Sequence, residues 1–209
     1  MPAGHGRRWL LGAMCLAWLS PVSGQQLLER VAARVNGYAI TLTDVRVAIA
    51  LGIVETQAGA DGEAVATDRL IDRQLVLAEV SRFVPPEPDA AAIVNEAVTL
   101  TARAGSGLGA VMASTGIDEV GIRDIARDNL RIQAYLDQRF GATVQLTEDE
   151  VTQYYRIHPD EFTRSGTLAP FAEVEALVRE RAGAERRAAI VAQWIRDLRA
   201  RADVSVPKK

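Results

Sequence analysis

Alternation around a single Asn-Gly pair constrains this chain more than any other feature. Val31, Ala33 and Val35 precede Asn36-Gly37, and Tyr38, Ile40 and Leu42 follow it, each separated by one residue from the next. Asn and Gly supply the positive φ angles that a type I′ turn needs, so 31–42 reads as a β-hairpin. Thr43 is then placed to cap a helix, with Asp44 in the first turn at the positive end of the helix dipole. A lone hairpin is marginal in water and needs a further strand or helices to cover it. The only other strand-like stretch is Ala202-Asp-Val-Ser-Val206, with Ala202, Val204 and Val206 alternating with polar residues. The last strand is therefore expected to return to the first hairpin.

Between these ends the periodicity is helical. A short helix is expected over 43–54 and a loop over 55–66. Thr67 is expected to cap a helix over 67–83 with Leu70, Ile71, Leu75, Ala78 and Phe83 on its inner face. Pro85-Pro86-Glu87-Pro88 stops that helix, since proline lacks an N–H and restricts the residue before it. Further helices read over 89–104 and 118–140. Gly105-Ser-Gly-Leu-Gly109 lies between them and reads as a turn, followed by a short helical piece ending at Gly116. It lacks the preceding strand and the following Lys-Ser or Lys-Thr of a phosphate loop. Gly141 reads as the C′ residue that closes the helix over 118–140. Thr147-Glu-Asp-Glu150 is a capping box for a helix ending before Pro159. A final helix reads over 171–202, interrupted in its apolar pattern around Gly183. The fold class expected is mainly α, with a small antiparallel sheet joining the N-terminal hairpin to the C-terminal strand.

Residues 1–24 read as a secretory signal peptide: Arg7-Arg8, the apolar run Trp9 to Leu19, then small residues at Ser23-Gly24. The run falls short of the ~20 apolar residues of a spanning helix. A lipidated Cys15 would follow Met14, where a small residue belongs. Export to the periplasm follows from this reading. Cys15 is the only cysteine, so the exported part has neither disulfides nor thiolate chemistry. The net charge of −3 becomes more acidic once Arg7 and Arg8 are removed. With no basic stripe, nucleic acid is not an expected partner.

The same residues argue against catalysis. The exported part has one histidine, His158, beside Pro159 at a helix end. Metal binding wants further His or Cys donors, and Ser-His-Asp chemistry would rest on that one loop residue without a nucleophile-elbow motif. Glu148-Asp149-Glu150 and Asp160-Glu161 sit at a helix start or in a loop, where carboxylates cap and solubilise. No catalytic residue, metal ligand or cofactor motif is assigned.

An ordered set of segments carries a resemblance. Arg34-Val-Asn-Gly-Tyr-Ala-Ile-Thr-Leu-Thr-Asp-Val45 resembles the start of SurA-like periplasmic chaperones. Similar to that family are Leu70–Glu79, Ile125–Ile132 with Gln138-Arg-Phe140, Leu146–Tyr155 with His158–Phe162, and Pro170–Val174 through Trp194 to Val206. In the family, parvulin-type prolyl isomerase domains lie between the segments resembling His158–Phe162 and Pro170–Val174. Here only 163–169 separates them, far below the ~50 residues of a domain. The resemblance therefore implies a chaperone core over 25–209: a helical segment 25–162, a linker 163–169, and a C-terminal helix and strand 170–209. It implies an ATP-independent holdase, without isomerase activity, for unfolded or outer-membrane polypeptides, as a monomer or weak homodimer. Segment position assigns Val111, Met112, Tyr135, Tyr154, Phe162 and Phe171 as client-contacting residues, with ordinary core as the alternative for each. Two other functions fit the sequence: a prolyl isomerase with a divergent site, and an exported adaptor with one dedicated partner.

Overall fold

A computed structural model describes residues 29–55, 61–141 and 145–207. The signal-peptide reading lies outside the described residues. The chain begins with the hairpin β1 (Val31–Val35) and β2 (Tyr38–Thr41), turned by Asn36 at φ 49° and Gly37 at φ 86°. Strand β5 (Val204–Ser205) pairs antiparallel with the outer side of β1, giving the order β2-β1-β5. The ends of the described chain thus form one sheet, as the alternation predicts. Ala33, Val35 and Ile40 are its buried face.

Between the hairpin and β5 the structure is helical: α1 (Leu42–Ala50), α2 (Gly62–Phe83), α3 (Ala90–Ala104), α4 (Leu108–Thr115), α5 (Glu119–Phe140), α6 (Glu148–Ile157) and α7 (Phe171–Arg201). The cap of α1 is Thr41, two residues earlier than Thr43. Strand β2 runs straight into the helix, so Thr41 is the last extended residue. Its hydroxyl accepts from the Asp44 N–H at 3.1 Å, and the Asp44 carboxylate accepts from the Thr41 N–H at 2.8 Å. The helix stops at Ala50 rather than Val54, because Gly52 turns the chain at φ 62°.

Residues 62–66, expected to be loop, belong to α2, which begins at Gly62; 56–60 lie outside the described residues. Asp61 caps α2, accepting from the Ala64 N–H at 3.3 Å. Thr67, expected to be that cap, is instead buried inside the helix, its hydroxyl donating to the Glu63 carbonyl at 2.6 Å. Gly105–Gly107 forms a 3-10 turn leading into α4, which ends at Gly116 with φ 73°. Asp118 caps α5 through the Gly121 N–H at 2.9 Å. Gly141 keeps right-handed backbone at φ −64°, so α5 lacks the left-handed stop assigned to it.

The linker over 163–169 is structured. After a 3-10 turn at Pro159–Phe162, β3 (Thr163–Arg164) and β4 (Thr167–Leu168) form a two-residue hairpin. Ser165 and Gly166, at φ 50° and 81°, make its turn.

Four apolar clusters hold these elements. The sheet face packs on Val45 and Ala48 of α1, Ile71 and Leu75 of α2, and Leu198 of α7. The other side of α1, through Val47 and the C-cap residue Leu51, meets Ile93 and Leu100 of α3 with Ile122 and Ala126 of α5. Helix α1 is short but buried on two sides, and it joins the two clusters. Val76 and Val80 of α2 meet Tyr135 of α5, with Ile132, Leu136, Trp194 and Ile195 packed around them. A fourth cluster joins Val151 of α6 and Phe162 to Val174 and Val178 of α7. Helix α7 runs unbroken through Gly183, about 46 Å at 1.5 Å per residue. Its first half serves the fourth cluster and its second half the sheet and α2. Arg199 fastens that second half to α2 by pairing with Asp72 at 3.0 Å and with Asp68.

Candidate functional site

An apolar cleft opens among α2, α5 and α7. It has a volume of about 520 Å³, within the ~300–1,000 Å³ usual for binding pockets. Val65 and Val76 line it from α2, Ile132 and Leu136 from α5, and Ile195 from α7, with Ile53 and Val54 at one end. Glu55, Arg69, Asp72 and Arg73 stand among these apolar walls. Ile132 and Leu136 lie at i and i+4 on α5, so the helix period places them on one face.

The cleft continues on two sides. A space of about 430 Å³ extends over α3 and α5, sharing Ile53, Arg73, Ile132 and Leu136. A smaller one of about 150 Å³ reaches the hairpin at Tyr38 and Ile40, again sharing Ile53 and Arg73. Arg73 therefore borders all three spaces. Burial pushes its pKa down, against the favourable charges of Asp128 and Glu96. Asp128 lies half-buried, and burial raises its pKa even though Arg73 and Arg131 oppose the shift. A separate groove of about 570 Å³ lies between the start of β1 and α2; Asp68 on its edge is already tied to Arg199.

Beside the cleft runs a line of aromatic rings. Tyr135 stands 5.9 Å from Phe83 on one side and 5.9 Å from Trp194 on the other, and Trp194 is 5.4 Å from Phe140. The Arg139 guanidinium lies 5.4 Å from the Trp194 ring and 5.5 Å from Phe140, a cation–π arrangement. Phe83, expected on the inner face of α2, is 61 % exposed and covers Tyr135 from the solvent side.

The six residues assigned from segment position fall into three places. Val111 and Met112 are half-buried on α4, where Val111 packs on the cluster between α1, α3 and α5. Tyr135 is buried in the aromatic line. Tyr154, Phe162 and Phe171 do come together at the other end of α7. There Phe162 lies 6.3 Å from Tyr154, and Tyr155 bridges Phe162 and Phe171 at 5.6 and 5.4 Å. The Tyr154 hydroxyl donates to Glu161 at 3.2 Å, and its ring stacks on His158 at 4.0 Å. Phe162 is 1 % exposed, so it offers no surface to a ligand in this conformation. None of the six lines the cleft.

No family model matches the chain, and no curated protein matches it. Sequence reasoning places Ile132, Leu136 and Ile195 on apolar stripes but assigns them to the core, and it gives Arg73 no role. The legible signal was Arg73 itself. It interrupts an apolar helix face, three residues after Leu70 and three before Val76. Among the described residues, no group of three or more His, Cys, Asp or Glu is arranged to hold a metal ion, and no helix is long and apolar enough to cross a membrane.

Proposed function

We propose that the protein is an ATP-independent chaperone of exported polypeptides, which holds unfolded clients in the cleft between α2, α5 and α7. One observation carries the reading: an apolar cleft of about 520 Å³ that is also lined by charged side chains and shares lining residues with two further spaces. A holdase needs apolar surface that a client can reach, divided into patches small enough to keep the chaperone from associating with itself. The secretory character of residues 1–24 and the ordered resemblance to SurA-like chaperones agree with this reading. Binding an unfolded chain removes it from the aggregating pool by mass action, so no energy source is required.

The test is aggregation of a denatured outer-membrane protein, followed by light scattering at equimolar chaperone. The protein is expected to suppress aggregation, and Leu136→Lys to lose that activity while keeping its helical circular dichroism. Failure of the wild-type protein to suppress aggregation contradicts the proposal, as does full suppression by Leu136→Lys. A proline-limited refolding reaction run in parallel is expected to keep its uncatalysed rate, tens of seconds or slower. Acceleration would replace the holdase with an isomerase.

A further inference from the structure

The cleft and its continuation over α3 differ in chemistry. The part between α2, α5 and α7 adds Val65, Val76 and Ile195 to its charged residues Glu55, Arg69, Asp72 and Arg73, whereas the space over α3 adds Arg103 and Arg187 against Glu96 and Asp137. Both acids there are engaged: Glu96 accepts from the Asn129 side-chain amide at 2.8 Å, and Asp137 pairs with Arg187. Asp128, which favours the Arg73 charge through space, pairs with Arg131 at 3.7 Å. Arg73 and Arg103 form no ion pair with any described residue.

Arg73 is partly buried, and Asp128 and Glu96 favour its charge only through space, so its guanidinium keeps donors that a bound carboxylate can take up. Three guanidiniums line this space, and of them only Arg187 is tied up in an ion pair, with Asp137. Ile53, Ile132, Leu136 and Arg73 border both parts, so a ligand with its anion on the arginine side can rest its apolar portion in the main cleft.

We infer that the cleft binds the C-terminal end of an extended polypeptide, with its last apolar side chains between α2, α5 and α7 and its terminal carboxylate on the side of Arg73 and Arg103. The inference rests on the client-binding reading and narrows it to one end of the client. A guanidinium offers N–H donors in a fork that matches a carboxylate, which a single ammonium cannot reproduce. A terminal carboxylate sits directly on the last residue, so an apolar C-terminus delivers anion and apolar surface together. An internal Asp or Glu requires the chain to leave the cavity in both directions.

The test is fluorescence anisotropy with the full protein and a labelled apolar, aromatic-containing peptide, made as the free acid and as the C-terminal amide. The free acid is expected to bind on the order of tenfold more tightly, the scale of one charge-assisted contact. That preference is expected to vanish in Arg73→Gln and shrink in Arg103→Gln, with Arg73→Lys intermediate. Arg103 is exposed, so Arg103→Gln keeps the test available if Arg73→Gln fails to fold. Equal binding of acid and amide overturns the inference while leaving client binding in place. Binding of neither peptide also overturns it, and aggregation suppression by the same preparation then decides whether client binding falls with it. Dodecanoate supplies the same chemistry from a lipid source; binding of dodecanoate without the free-acid peptide assigns the cleft to fatty acids and overturns the polypeptide assignment.

Discussion

Asn36 and Asp203, 167 positions apart, exchange two hydrogen bonds. The Asn36 N–H donates to the Asp203 carbonyl at 2.8 Å, and the Asp203 N–H donates to the Asn36 side-chain oxygen at 2.9 Å. Asn36 is also the residue that turns the first hairpin at positive φ. One side chain thus fixes a local turn and anchors the return of the last strand.

Substitution at this position separates the two roles. Asn36→Gly keeps the turn and loses the side-chain acceptor, for an expected cost of about 1 kcal/mol. Asn36→Ala loses the acceptor and adds the strain of an alanine at positive φ, for about 2–3 kcal/mol in total. Urea denaturation of both variants measures the difference; equal costs would show that the turn conformation contributes nothing.

Phe162→Ala is expected to destabilise the protein by about 3–5 kcal/mol, the usual cost of emptying a buried aromatic site. Phe162 is held by Tyr154, Tyr155, Val151 and the first half of α7. Amide exchange should therefore accelerate first in α6 and at the start of α7, and last in the sheet. Uniform acceleration in all helices would show that this cluster does not open separately.

Glu150 accepts from the Thr147 N–H at 2.9 Å, and this bond, with the Thr147 hydroxyl and Arg186, pulls its pKa below the ordinary 4.5. A carboxyl depressed in the folded state adds stability above its unfolded pKa and loses it as pH falls through the folded pKa. The capping contribution is thus present at neutral pH and disappears on acidification below 4.5. NMR titration should give a midpoint for Glu150 below that value, moving back up in Thr147→Ala. An unchanged midpoint in Thr147→Ala would remove the hydroxyl as a cause and leave the backbone N–H of residue 147, which alanine keeps.

Gly52→Ala is expected to cost about 1–2 kcal/mol, because Gly52 is at φ 62°. An added Cβ would also lie 3.2 Å from Cδ of Arg103, so the arginine stem must shift. Thermal unfolding measures the loss, and peptide binding by the variant reports whether Arg103 has moved. Unaltered stability would show that the turn after α1 adapts freely.

The sheet was legible because period-2 alternation and an Asn-Gly turn are local signals, and β5 was the only other segment carrying one. Helix existence was equally clear from the 3.6-residue period, but starts were less so. Thr43 and Thr67 have the right side chains for caps, yet Thr41 and Asp61 do the capping, because strand β2 runs straight into α1 and the helical backbone of α2 already begins at Gly62. The hairpin at 163–168 was read as a linker, since two-residue strands are too short to show alternation. The cleft was illegible for a different reason. Whether Ile132, Leu136 and Ile195 face a neighbour or an opening depends on the spacing of three helices, and apolar stripes look alike in both cases. Arg73 was visible as an interruption, although only its placement among Asp128, Glu96 and the cleft gives that interruption a chemical meaning.

A holdase of the proposed kind would hold its clients in the cleft between α2, α5 and α7. Photocrosslinking tests it most directly, with benzoylphenylalanine placed singly at Leu136, at Met112 and at solvent-exposed Arg123, in the presence of an unfolded outer-membrane protein. The account predicts abundant crosslinks from Leu136 and only background from Met112 and Arg123. Abundant crosslinks from Met112 with none from Leu136 would place clients on α4, and background from all three would show that this folded protein does not hold unfolded chains; either result contradicts the account.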